Sequence, residues 1–260
     1  MIDILIKECL PILREFGIGK YAITIGGSRG KGISDSRSDV DFRIYADQLV
    51  TGDAWDQAIE KLYAIMDVWR SKGIEIDGVW PRTILEIDES LSGWLSGNLN
   101  PIPKEWTVWG YHMPTDIYNQ LIVEDPYKIA QGWKERMSNY PEELRQSIFR
   151  KHMGRLKYWR NDYHYKSKVV RGDVVFLASL SSSLVHDLMQ VLFALNSVYF
   201  PGDGINLQYT SAFTIKPENL NDRIKLALYP DSIENRFEEQ LNTLIDLIVE
   251  VDGLVSPLLK

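Results

Sequence analysis

Two aspartates, Asp39 and Asp41, stand two residues apart in the run Ser38-Asp39-Val40-Asp41-Phe42-Arg43-Ile44. The run reads as a β-strand, on which residues of equal parity share a face. The two carboxylates therefore point the same way, with Cα atoms roughly 6.5 Å apart from a rise of about 3.3 Å per residue. Val40, Phe42 and Ile44 face the opposite side, towards a core. Like charges at the head of a half-buried strand repel each other unless a cation lies between them. A hard divalent ion such as Mg²⁺, with oxygen ligands, answers that need. Just upstream runs Ile23-Thr24-Ile25-Gly26-Gly27-Ser28-Arg29-Gly30-Lys31-Gly32, a short β-branched strand followed by a glycine-rich turn with one serine. Glycines let the backbone approach a ligand, and the amides of such a turn can cradle phosphate oxygens. A phosphate cradle and metal carboxylates within one hairpin form the layout that phosphoryl chemistry requires.

The elements that must position these residues follow from periodicity. Residues 2–16 place Leu5, Ile6, Cys9, Leu10, Leu13 and Phe16 at helical spacing and stop near Gly17, a scaffold helix for the sheet. Strands are expected at Tyr21–Ile25 and Val40–Tyr45, then a helix over Asp53–Ser71 ended by Gly73. The next strand, residues 74–80, alternates apolar and acidic residues and puts Glu75 and Asp77 on one face. A strand–helix–strand connection sets it beside the second strand, so one of these two acids would reach the Asp39/Asp41 pair. Thr83–Leu95, which carries Glu86, recurs at helical intervals, or begins as a strand before Asp88. Residues 97–110, rich in Asn, Pro and Trp (Trp106, Trp109), are either a wall of the site or a connecting loop. A last strand is expected at 122–125 before Pro126.

Beyond Pro126 the pattern is helical, with helices expected over 127–137, 141–165, 172–199 and 232–251. The third is strongly apolar, as a central bundle helix would be. The expected fold class is α+β, divided near residue 123 into 1–123, a sheet with flanking helices, and 124–260, a helical bundle. His152 and His186 read as structural helix histidines. The aromatics Tyr158, Trp159, Tyr163 and Tyr165 read as helix packing or as a stacking wall. Arg155, Lys157, Arg160, Lys166, Lys168 and Arg171 make the most basic stretch, a solvated face or a polyphosphate contact.

Composition narrows the function classes. Of 260 residues, 45% are hydrophobic and 25% charged, an ordinary globular balance. The net charge of −7 counts against nucleic acid as the partner, since coating proteins carry a basic footprint. The single cysteine, Cys9, excludes an intramolecular disulfide and fits a reducing compartment. Acids in the first residues, where a signal peptide carries bases, and the absence of any apolar run approaching membrane-spanning length predict a cytoplasmic protein away from membranes.

Gly27-Ser28, ten intervening residues, then Asp39-Val40-Asp41 resembles the signature of the DNA polymerase β-type nucleotidyltransferase superfamily. A two-layer N-terminal unit followed by a helical bundle is also similar to kanamycin nucleotidyltransferase and its relatives. Gly110-Tyr111-His112, Asp125-Pro126, Arg171-Gly172-Asp173 and Tyr199-Phe200-Pro201-Gly202 extend the resemblance to an uncharacterised bacterial family of that superfamily. The resemblance implies transfer of a nucleoside monophosphate, AMP from ATP or that of another NTP, to a hydroxyl of a small acceptor. It implies two Mg²⁺ ions on Asp39 and Asp41, with a third carboxylate from the third strand. The order of elements favours Asp77, with Glu75 as the fallback. Gly27 and Ser28 would bind the β- and γ-phosphates, with Arg29, Lys31 and Ser38 in reach. No glutamate follows Glu143 where antibiotic-modifying relatives carry their base, which leaves Glu86 as another candidate. A homodimer is the assembly the relatives suggest. Two competing readings are a nucleotidyltransferase acting on a protein or RNA end, and a catalytically silent nucleotide-binding scaffold.

Overall fold

A computed structural model describes residues 1–99, 112–204, 206–229 and 236–260. The fold is α+β: a four-stranded mixed sheet with helices, and a C-terminal helical region. The chain forms two compact units, Met1–Gly93 with Met113–Asn139, and Trp94–His112 with Tyr140–Lys260.

In the first unit the order is α1 (Ile2–Arg14), β1 (Gly17–Ile25), α2 (Gly27–Gly30), β2 (Val40–Leu49), α3 (Asp53–Ser71), β3 (Ile76–Thr83), α4 (Ile84–Leu95), α5 (Met113–Asn119), β4 (Leu121–Glu124) and α6 (Ile129–Arg136). The last two residues of α4 already belong to the second unit. The sheet order is β3-β2-β1-β4. β1 pairs antiparallel with β2 and with β4, while β2 and β3 run parallel across the α3 crossover. The parity argument holds through β2. Val40, Phe42 and Ile44 join Leu5, Cys9, Leu13, Leu62, Met66 and Trp69 in a core between the sheet and helices α1 and α3. Burial of such aliphatic side chains contributes about 1.5–3 kcal/mol each.

The opposite face of the sheet is buried too, but it is polar. Thr24, Arg43, Asp116 and Gln120 are all at most 4% exposed. Gln120 ties them together: its Oε1 accepts from Thr24 Oγ1 (2.7 Å) and Tyr45 Oη (3.0 Å), and its Nε2 donates to Asp116 Oδ2 (2.9 Å). Tyr45 also meets Trp133 of α6 edge to face, and Lys134 donates to the Gln120 carbonyl. Residues 124–139 thus belong to the compact unit of the sheet, so the expected division at 123 moves to 139 and becomes discontinuous. Burying polar side chains is tolerable only when they are mutually hydrogen-bonded, as these are.

The second unit holds α7 (Glu142–Ile148), a π-helical turn (Phe149–Met153), α8 (Gly154–Asn161), α9 (Tyr163–Arg171), α10 (Val174–Leu195), α11 (Asn206–Ser211), α12 (Leu220–Leu228) and α13 (Arg236–Val255). The helix expected over 141–165 is therefore interrupted twice. The second break is chemical: the Asp162 carboxylate caps α9 by accepting from the Tyr165 amide. α10 is long and apolar enough to cross a membrane by length and composition, contrary to the expectation that no such run exists. Fifteen of its residues are buried, as in a core helix. Residues 100–111, with Trp106, Trp109 and Tyr111, and the expected start of the last helix at 232 lie outside the described residues.

Candidate functional site

The expected acids converge at one end of the sheet. β2 and β3 run parallel and start together, Val40 facing Ile76, so Asp39, Asp41 and Asp77 share that end. One carboxylate oxygen from each lies within 4.8 Å of the others. Asp77 is brought in by a register shift between the Val40/Ile76 and Phe42/Val79 pairs, where Gly78 has φ +86°. Asp41 is 9% exposed, and Asp77 faces solvent. Burial, opposed by Arg43 and reinforced by Asp39, Asp116 and Asp77, pushes the Asp41 carboxyl up to about 6. Burial and the charge of Asp39 raise Asp77 as well.

Glu75 does not join this cluster. It precedes β3, and its exposed carboxylate pairs with Arg70 (Nη2–Oε1 2.7 Å), which holds it below the usual carboxylate range. Glu86 lies in α4 beyond the far end of β3 and stands 4.0 Å from Arg82. The six residues from Asp77 to Thr83 span about 20 Å of strand, so Glu86 is remote from the acids.

The glycine turn is tighter than a loose cradle. Gly27 adopts φ +60°, and a Cβ there would lie 1.9 Å from Asp41 Oδ2. A Cβ on Gly26 would lie 2.7 Å from Asp116 Oδ1. Only glycine fits where two carboxylates press on the backbone. The Gly27 amide, expected to hold phosphate, instead donates to Asp116 Oδ1 (2.9 Å). Ser28 Oγ is buried with no hydrogen-bond partner among the described residues. Arg29 is a staple: its Nε and Nη2 donate to the carbonyls of Asp39 and Ser38, each at 2.7 Å. Ser38 Oγ is engaged in the turn with Asp35, accepting from its amide and donating to its carboxylate. Lys31 ends α2, its amide donating to the Gly27 carbonyl.

Two residues of the site were not expected from the sequence. Arg43 shares the parity of Asp39 and Asp41, and it contacts Asp41 Oδ1 at 3.5 Å and Asp116 Oδ2 at 3.0 Å. Trp80, its β3 neighbour, covers the guanidinium at 5.5 Å. Parity is the signal that marks Arg43. Asp116 carries none, because its partners lie 73 and 89 residues away in the chain. The arrangement is an acidic cluster at the sheet end, open to solvent at Asp77, with a built-in counter-charge and a backbone turn pressed against it. Three carboxylates so close, two of them pushed towards protonation, suit a hard divalent cation as the donor set.

The second unit carries a different cluster, His152, His186 and Asp187, all buried. An open apolar cleft of about 440 Å³ lies in that unit too, lined by Val185, Met189, Leu207, Ile224 and Leu228, without any of the expected site residues.

A family model described as a domain of unknown function (DUF4037) matches residues 112–203. The match runs from the start of α5 past the end of α10, and so includes Asp116, His152, His186 and Asp187 but none of β1–β3. No curated protein matches the chain.

Proposed function

We propose that this chain is a divalent-cation-dependent nucleotidyltransferase of the DNA polymerase β-type superfamily. It transfers a nucleoside monophosphate, AMP from ATP first among candidates, to a hydroxyl of a small acceptor. The observation that carries this reading is the convergence of Asp39, Asp41 and Asp77 at the end of the sheet where the Gly27-Ser28 turn abuts Asp41. In the reaction the acceptor oxygen attacks the α-phosphorus, the bond to the β-phosphate oxygen breaks, pyrophosphate leaves, and the hydroxyl proton is taken up. Mg²⁺ held by Asp39, Asp41 and Asp77 would polarise the phosphoryl oxygens and lower the pKa of the hydroxyl.

The chain's own residues have separable tasks. Gly27 lets the turn close directly on the Asp41 carboxylate, and Asp116 fixes the turn through the Gly27 amide. Ser28 Oγ, buried and unpartnered among the described residues, is a donor available to a phosphate oxygen. Asp77, the solvent-facing acid of the three, would complete the cation's donor set from the open side, and the hydroxyl proton passes to water. The Arg43 counter-charge beside Asp41 favours a second reading, a nucleotide-binding scaffold that needs no cation for stability.

Thermal unfolding with ATP, GTP, CTP and UTP, with and without Mg²⁺, separates the two. At a ligand concentration about 100-fold above Kd, binding adds about 2.7 kcal/mol. Transfer predicts a Mg²⁺-dependent shift that Asp39→Asn/Asp41→Asn abolishes, with pyrophosphate released on adding acceptor. A shift that ignores Mg²⁺ and survives the double substitution supports the scaffold, and no shift with any nucleotide overturns both.

A further inference from the structure

The strongest unexplained feature of the second unit is the buried trio on α10 and the π-helical turn. α10 contributes His186 and Asp187, and the π turn contributes His152. One ligand-capable atom from each residue lies within 4.8 Å of the others. His152, His186 and Asp187 are 6%, 8% and 0% exposed. This cluster differs in kind from the one on the sheet, which is all oxygen and open to solvent at Asp77, whereas the trio is nitrogen-rich and enclosed.

We propose that His152, His186 and Asp187 bind a borderline transition-metal cation, with Zn²⁺ the first candidate, at a site separate from the acidic cluster. Asp187 supplies the independent pointer. Its Oδ1 lies 2.6 Å from His152 Nδ1 and accepts from Arg155 Nη1 at 3.3 Å. Its Oδ2 is buried and has no hydrogen-bond partner among the described residues. A buried polar atom left unsatisfied costs about 1–3 kcal/mol, more when the group is charged, and a cation at that oxygen removes the cost.

The donor chemistry selects the metal. Two imidazoles and one carboxylate suit Zn²⁺, Co²⁺ or Ni²⁺, while Mg²⁺ prefers oxygen alone. Three protein ligands leave a fourth position open, as catalytic zinc sites do. The backbone bears the mark of a specialised position, since π turns are rare and recur at functional sites. Neighbouring side chains meet the cluster but leave Asp187 Oδ2 open. Gln190 Nε2 lies 3.2 Å from His186 Nε2, and Arg155, whose side chain is 47% exposed, reaches Asp187 from the solvent side. Arg155 engages Oδ1, so it does not occupy the oxygen that a cation would take.

The test uses the full chain carrying Asp39→Asn/Asp41→Asn, so that the acidic cluster does not contribute and failure of the nucleotidyltransferase reading leaves the result untouched. After treatment with EDTA and its removal, Co²⁺ is titrated and the visible spectrum recorded, and Zn²⁺ is then added in competition. The expected result is one equivalent of Co²⁺ with the intense absorption of four- or five-coordinate geometry, displaced by Zn²⁺, together with a Zn²⁺-dependent rise in Tm. His186→Gln and the near-isosteric Asp187→Asn should each weaken binding by about 100-fold, at or above the range for losing a supporting contact. Circular dichroism without metal shows whether each variant folds. Absence of the absorption and of the Tm rise in the parent overturns the site, as does undiminished binding in a folded Asp187→Asn variant.

Discussion

Asp41 concentrates the cost of the acidic cluster in one side chain. Its carboxyl is raised from 3.8 to about 6 because burial outweighs the help of Arg43. The folded value lies above the unfolded one, so the native chain binds more protons than the unfolded chain between those pH values. Stability from this group is fully present below about 3.8 and is lost as pH rises through 6. Asp41→Asn, which cannot ionise, should therefore stabilise the cation-free protein by about 1–3 kcal/mol at pH 8. The gain should vanish near pH 4. Urea unfolding in EDTA at both pH values checks this, and a variant less stable than the parent at pH 8 would show that the Arg43 contact outweighs burial. Gly27 gives the complementary prediction. An alanine Cβ at φ +60° would meet Asp41 Oδ2 at 1.9 Å, so Gly27→Ala should cost about 1–3 kcal/mol. It should also abolish any nucleotide-dependent Tm shift, whereas a retained shift would show that the turn can move aside. At this scale the sequence displays the acids and glycines openly. Arg43 obeys the same parity but is harder to read, because repelling carboxylates point to an external cation and not to a basic residue two positions on.

Elements decide which of the displayed residues meet. Strict alternation along β3 would present Glu75 and Asp77 together. The register shift at Gly78 and the Arg70 ion pair leave Asp77 alone of the two in the cluster. Such a shift depends on tertiary pairing and leaves only a glycine as its trace. Residues 111–121 read from the sequence as no more than a short element, yet within them Asp116 and Gln120 at a spacing of four hold the polar face of the sheet together. Asp116 accepts from Arg43, Gly27 and Gln120 at once. Asp116→Ala would leave Arg43, 4% exposed, without its nearest counter-ion, and should destabilise by about 3–5 kcal/mol. In a double-mutant cycle with Arg43→Met the coupling should reach about 1–3 kcal/mol, measured by urea unfolding. Coupling near zero would mean that Asp116 acts only through the turn. The π turn at Phe149–Met153 is hidden for another reason: its residues satisfy ordinary helical periodicity, and one extra residue per turn leaves the apolar pattern almost intact.

The molecule as a whole divides where packing requires, and not where composition changes. Helical character begins after Pro126, which places the expected boundary at 123, but the sheet needs the residues that follow. A cut after Val123 removes Glu124, whose carboxylate bonds Arg14 (Nε, 2.9 Å) and the Tyr21 hydroxyl. It also removes Trp133 from the ring of Tyr45 and Lys134 from the Gln120 carbonyl, both on the polar face that steadies Asp116. A fragment of residues 1–139 should therefore unfold cooperatively in urea and keep near-ultraviolet circular dichroism from packed aromatics. A fragment of residues 1–123 should lose that signal and be less stable by about 3 kcal/mol or more, since burying an aromatic side chain such as Trp133 is alone worth that order. Residues 94–112 travel within both fragments although their compact unit is missing, so they affect the two equally and cancel in the comparison. Equal stability of the two fragments would return the boundary to 123. It would also mean that the polar network around Gln120 and Asp116 holds without α6, leaving Asp116 to fix the Gly27 turn through the sheet alone.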